Sequence, residues 1–237
     1  LWISFVSLAS LFATSSDSEE GEKSVLNWGE KPVVVSLGND DLQDGRRVRD
    51  LERLVRDAEK DGVSLLMLDL DVSVQIEVET QLRILDLISE TETPTVAFVN
   101  SSATSSGALI ALAADKIYLN RGGIIGGAGV VDTSDDEDDD SKQALRQQQS
   151  VLKARARSLA GLNGYRVDVV EAMIDENRVL TIGEREITDK GDLLTLSAVE
   201  AVEEIEGKPL LAAGLDKNVT VLLEQLDING EPVLTSP

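Results

Sequence analysis

Runs of aliphatic residues alternate along this chain with segments whose apolar positions recur every three or four residues. Lys31 to Leu37 (KPVVVSL) and Val63 to Leu70 (VSLLMLDL) are nearly continuous apolar stretches, as strands buried on both faces require. Between them, Arg46 to Lys60 places Val48, Leu51, Leu54, Val55 and Ala58 on one face of an amphipathic helix, with Gly62 as its stop. Ile76 to Ser89 repeats the helical spacing with Val78, Leu82, Leu85 and Ile88, and Thr95 to Val99 is the next strand. Strands alternating with helices in this way predict an α/β fold with a mostly parallel sheet flanked by helices.

The stretch from Pro94 to Val131 is the most unusual. After its strand comes a serine-rich turn, then a helix opening at Ser105-Ser106-Gly107 and running through small residues, Ala108, Ala111, Ala113 and Ala114. A short strand, Lys116 to Leu119, leads into a segment with Gly122, Gly123, Gly126, Gly127 and Gly129. A serine at a strand-to-helix turn stands beside the positive end of a helix dipole, a suitable place for a nucleophile. The same place suits a plain N-cap, which needs no chemistry at all. The residues alone leave both readings open.

Further along, DTSDDEDDD (residues 132–140) is a self-repelling acidic run read as a disordered loop over residues 132–141. Gln143 to Ala160 and Val167 to Ile174 are predicted helices, separated by Asn163-Gly164. Val179 to Thr188 is a predicted strand pair or arm and Leu193 to Leu196 a short strand. Ser197 to Glu206 is a predicted helix with a capping box at Ser197 and Glu200. Val219 to Leu226 is the last predicted helix, and residues 227–237 read as a turn-like tail. At the other end, residues 1–13 (LWISFVSLASLFA) are uncharged and mostly apolar, too short to span a bilayer. They read as a signal-peptide remnant, followed by an acidic linker over residues 14–30, so the rest of the chain is expected to be exported.

Composition narrows the chemistry. With 44 acidic against 22 basic residues the net charge is −22, a field that repels nucleic acid. The chain has neither histidine nor cysteine, so a Ser-His-Asp triad, a Cys-His dyad and a His-ligated zinc site are excluded. Nothing in the pattern calls for a metal or cofactor. Covalent chemistry here needs Ser or Thr with a lysine, a carboxylate or a terminal amine as base.

Several strings, in order, resemble the NfeD-type membrane-bound serine proteases of the ClpP class. They are PTVAFVN, SSGALIALAADKIYLNRGGIIGGAGVV, RSLAGLNGYRVDVVEAMID, DKGDLLTLSAVEAVE and GLDKNVTVLLEQLDI. The resemblance implies a ClpP/crotonase-like spiral of ββα units over residues 31–226. It also implies a homo-oligomer on the extracytoplasmic or periplasmic side, acting on peptides or membrane proteins. Membrane attachment would come through a region that follows the tail and is not in this chain. The family's chemistry is a Ser/Lys dyad, and its nucleophile maps onto Ser105. Ser106, the alternative nucleophile, fits if the register slips by one; Ser101 and Ser102 are nearby competitors.

Two positions depart from that family. Its oxyanion glycine pair falls on Val74 and Gln75, and losing one oxyanion donor costs about two to three orders of magnitude in rate. Its lysine position falls on Gln147, which cannot act as a base. Lys142 is the displaced candidate, and Lys153 sits further down the same helix. Two functional readings follow: an exported serine endopeptidase using Ser105 and Lys142 on apolar or membrane-associated peptides, or a catalytically silent peptide-binding or assembly scaffold. Whether the chain is an enzyme stays open at this level. A crotonase-type acyl-thioester enzyme is disfavoured by the export signal and the missing glycines.

Overall fold

The apolar run at Pro32 becomes β1 (Pro32–Gly38), and the first amphipathic segment becomes α2 (Gly45–Asp61) after a short α1 (Asn39–Gln43). Asp44 caps α2 by accepting from the Arg46 N–H, and Gly62 ends it at φ 66°. There follow β2 (Leu65–Val72), α3 (Val78–Glu90), β3 (Thr95–Thr104), α4 (Ser106–Ala113), β4 (Lys116–Asn120) and β5 (Ile124–Gly126). The second half holds α5 (Asp139–Asn163), α6 (Val167–Ile174), β6 (Leu180–Ile182), β7 (Arg185–Thr188), β8 (Thr195–Ser197) and α7 (Ala198–Ala201). It closes with β9 (Glu204–Ile205), β10 (Lys208–Pro209), β11 (Gly214–Asp216), α8 (Val219–Gln225) and β12 (Val233–Thr235). The structure is a computed structural model and describes residues 28–129 and 139–237. The leader of residues 1–13, most of the linker and the acidic run up to residue 138 lie outside the described residues.

The main sheet runs β11-β4-β3-β2-β1-β12 with every neighbour parallel; β5 extends β3, and β8 pairs with β5 antiparallel. One face of it carries Val33, Val35, Leu66, Leu68, Leu70, Ala97 and Val99, packed in a core with α2 to α6. The other presents Val34, Leu65, Met67, Val96 and Phe98 to Leu222 and Leu223 of α8. Strands buried on both faces explain the unbroken apolar runs.

Five expectations are corrected. Trp28, expected in the linker, is 6% exposed in the core and donates its backbone N–H to Asp61. The serine-rich segment is no turn: β3 continues through it to Thr104. Its hydroxyls bond across to β2, Ser101 Oγ donating to Asp71 at 2.6 Å and Ser73 Oγ to Ser102 at 2.8 Å. The helix at Ser197 keeps its capping box but stops at Ala201, whose carbonyl accepts the Leu211 and Ala212 N–H groups. The turn-like tail holds β12, an edge strand parallel to β1. Helix α5 also begins at Asp139, inside the run expected as a loop.

Every residue of α4 is buried, and the helix packs against β2, β3, α3 and α5. Its approach to β2 is set at Gly107, where a Cβ would lie 2.5 Å from the Val72 carbonyl oxygen and 2.9 Å from Val72 Cβ. Alanine is favoured over glycine in a helix by up to about 1 kcal/mol. Overpacking a core position costs about 1–3 kcal/mol or more, so the clash outweighs the propensity. Gly107→Ala is therefore expected to destabilise the fold in a urea titration; unchanged or increased stability would contradict this packing.

Candidate active site

Ser105 joins β3 to α4 at φ 52°, ψ −122°, a backbone conformation that costs a non-glycine residue about 1–3 kcal/mol. Its N–H donates to the Gly127 carbonyl at 3.2 Å. It occupies the N-cap position of α4, yet its side chain makes no capping hydrogen bond. Its hydroxyl has no partner among the described residues. Plain capping does not describe Ser105.

The three competing serines, Ser101, Ser102 and Ser106, are all engaged. Ser101 and Ser102 belong to the stitches between β3 and β2 described above. Ser106 is 2% exposed; its Oγ accepts the Ile76 N–H at 3.0 Å and donates to Gln81 Oε1 at 3.2 Å. Such a hydroxyl, turned into the core with both roles filled, is a structural group. Gln81 was not singled out by the sequence reading. The signal was present: with Val78, Leu82, Leu85 and Ile88 forming the apolar face of α3, position 81 falls on that same face.

Val74 and Gln75 lie in the loop from β2 to α3, Val74 half-buried and Gln75 exposed. At a nucleophile turn the N–H of the following residue is one donor of an oxyanion hole. That residue is Ser106, and its N–H donates to the Val74 carbonyl at 3.2 Å. The loop thus places an acceptor where an oxyanion would need a donor.

The family lysine position and both candidate lysines lie along one helix, α5. Gln147 is exposed on α5. Lys142 lies in the first turn of α5, and its side chain falls outside the described part of the structure. Lys153 is committed to Asp175 at 2.9 Å, and that hydrogen bond holds the Asp175 carboxyl below its ordinary value. Among the described residues, no cluster of acidic groups could hold a metal, and no helix is long and apolar enough to cross a membrane.

The family model of the NfeD1b N-terminal domain matches residues 40–234. This chain belongs to that family. It is 40% identical over 119 residues to the membrane protein NfeD1b of Bacillus subtilis, a match covering 50% of this chain and 25% of that protein. The chain thus spans about a quarter of the relative it matches. Among solved structures, it is similar to the 1510-N membrane protease specific for a stomatin homolog from Pyrococcus horikoshii. There the TM-score is 0.60 at 18% identity, over 88% of this chain and 94% of that one. A lysine-to-alanine variant of 1510-N in complex with a substrate peptide gives TM-score 0.64 at 16% identity, over 89% and 93% of the two chains. ClpP1 from Listeria monocytogenes gives 0.53 at 12% identity, over 81% and 94%. These likenesses show that the NfeD1b N-terminal domain has a ClpP-like protease fold.

On the other face of the sheet, Asp69 stands on the same side of β2 as Met67 and Asp71, with its Oδ1 buried and unpartnered among the described residues. Burial, and secondly the Asp71 carboxylate, push Asp69 above its ordinary value of 3.8. The folded chain holds this proton more tightly than the unfolded chain, so stability falls as pH rises through the folded-state value. At neutral pH this upward shift is a cost to stability. Asp69→Asn is expected to raise the melting temperature at pH 7 on the order of 2 °C, with the gain shrinking as pH falls toward 4. An equal gain at both pH values would contradict this assignment.

Proposed function

We propose that this chain is the peptide-binding, ClpP-like domain of an exported, membrane-associated NfeD1b protein, with Ser105 at the nucleophile position of a site that does not turn over. The observation that carries this reading is the Ser106 N–H, already bound by the Val74 carbonyl at 3.2 Å. A tetrahedral intermediate forming at Ser105 would meet that carbonyl oxygen, a repulsive partner, in place of a donor. The loss of one such donor alone is worth about two to three orders of magnitude in rate.

A peptide fits the fold's relatives, since 1510-N is known in complex with a substrate peptide. An apolar peptide fits the rim: Ile124, 40% exposed, sits on β5 opposite Ser102 of β3. The domain in this proposal runs from Trp28, which lies in its core, to at least Thr235, because β12 is part of its sheet. Export through residues 1–13, self-association, and membrane attachment through a region outside this chain complete it.

The second reading is an active serine endopeptidase with Ser105 as nucleophile and Lys142 as base. What favours it is Ser105 itself, held at positive φ with its hydroxyl unused. Calorimetric titration with an apolar peptide and chromatography of the mixture separate the two readings. The silent domain binds the peptide with the same Kd in wild type and Ser105→Ala, within about twofold, and leaves it intact. Cleavage by wild type that Ser105→Ala abolishes would overturn the silent reading, and absence of binding would overturn the peptide-binding one.

A further inference from the structure

Three contacts fasten the loop between β2 and α3 onto the first turn of α4. The Val72 carbonyl lies over Gly107, the Val74 carbonyl accepts the Ser106 N–H, and the Ile76 N–H donates to Ser106 Oγ. Ser106 Oγ in turn donates to Gln81 Oε1, and both side chains are 2% exposed. The remaining head of that amide, Gln81 Nε2, is buried without a partner among the described residues. Turning the amide over would leave the other head unmatched instead. The closed arrangement thus keeps one buried donor of Gln81 unmatched.

We propose that Ser106 and Gln81 are the positioning pair of this site, a clasp that pins the β2–α3 loop with the Val74 carbonyl over the oxyanion donor. A trans peptide carries its C=O and its N–H on opposite edges. Turning over the single peptide between Val74 and Gln75 withdraws the carbonyl and presents the Gln75 N–H in its place. Two N–H groups, from Gln75 and Ser106, then converge beside Ser105, the arrangement that stabilises an oxyanion. Two things hold the closed form: the Ile76–Ser106–Gln81 hydrogen bonds, and the side chains of Val74 and Gln75, which resist the changes in ψ of residue 74 and φ of residue 75 that the rotation needs. Glycine at position 74 removes the share of that resistance due to Val74. The closure is a conformation, one peptide rotation away from an open site.

This rests on Ser105 occupying the nucleophile position of a closed site, and the test separates the two claims. Wild type, Val74→Gly, Ser106→Ala and Val74→Gly/Ser105→Ala are exposed to a fluorophosphonate, with labelling at Ser105 followed by mass spectrometry. Amide hydrogen exchange at residue 106 is measured in parallel. Val74→Gly is expected to label at least tenfold faster than wild type, the double variant not at all. Ser106→Ala, which removes only the side-chain anchor and stands alone should Val74→Gly fail to fold, is expected to label several-fold faster. In both variants the amide at 106 exchanges at least tenfold faster while those of Leu109 to Leu112 keep their protection, a pattern that general destabilisation does not produce. Slow labelling in every variant overturns the clasp and leaves the silent reading standing. Wild type labelling as fast as Val74→Gly overturns the closed-site reading itself, and an unchanged Ser106→Ala removes Ser106 from the positioning role.

Discussion

The contact on which this molecule depends is the one between the end of β2 and the first turn of α4. The Val72 carbonyl comes so close to α4 that position 107 has room for hydrogen alone. That approach brings the β2–α3 loop within hydrogen-bonding distance of Ser106. It also fixes the direction of the α4 axis, and with it the place where Ser105 must leave β3 and enter a helix. The positive φ of Ser105 follows: the chain turns from strand to helix in one residue, while its N–H is held by Gly127. Strain of this kind persists only where the surroundings over-determine it. Here the buried helix behind Ser105 and the glycine-rich segment beside it do so.

On the proposed reading, the same contact lets a site keep its shape without its chemistry. A glycine-containing loop after β2 could hold its N–H groups toward Ser105, whereas Val74 and Gln75 adopt a path that presents a carbonyl. The carbonyl is satisfied by the Ser106 N–H, so the closed loop leaves neither of these backbone groups unpaired. The fold accommodates Val74 and Gln75 because packing around Gly107 and Ser106 does not require a donor at that point.

Much of the fold was legible in the sequence. The face formed by Val48, Leu51, Leu54, Val55 and Ala58 is the buried face of α2, and the apolar runs are the central strands. Misreadings occurred where distant partners override local pattern. Ser101 to Thr104 read as a turn because they are polar, and they are strand because Asp71 and Ser73 supply partners some thirty residues away in sequence. The helix after Ser197 is cut short by a segment that takes the Ala201 carbonyl. At the site, Ser105 was singled out by the family resemblance and by its strand-to-helix position, and the structure has it at the junction of β3 and α4. The direction of the Val74 carbonyl could not, since it is a matter of one peptide plane. The substitution of Val74 and Gln75 for glycine was the visible trace of it.

The central claim is that the donor after Ser105 is occupied by the chain itself. A crystal structure of the wild-type chain soaked with an apolar peptide boronic acid tests it most directly. The account predicts an intact, trigonal boronic acid or none at all at Ser105, with the Ser106 N–H still on the Val74 carbonyl. A tetrahedral boronate bonded to Ser105 Oγ, with one of its oxygens accepting the Ser106 N–H, would contradict it.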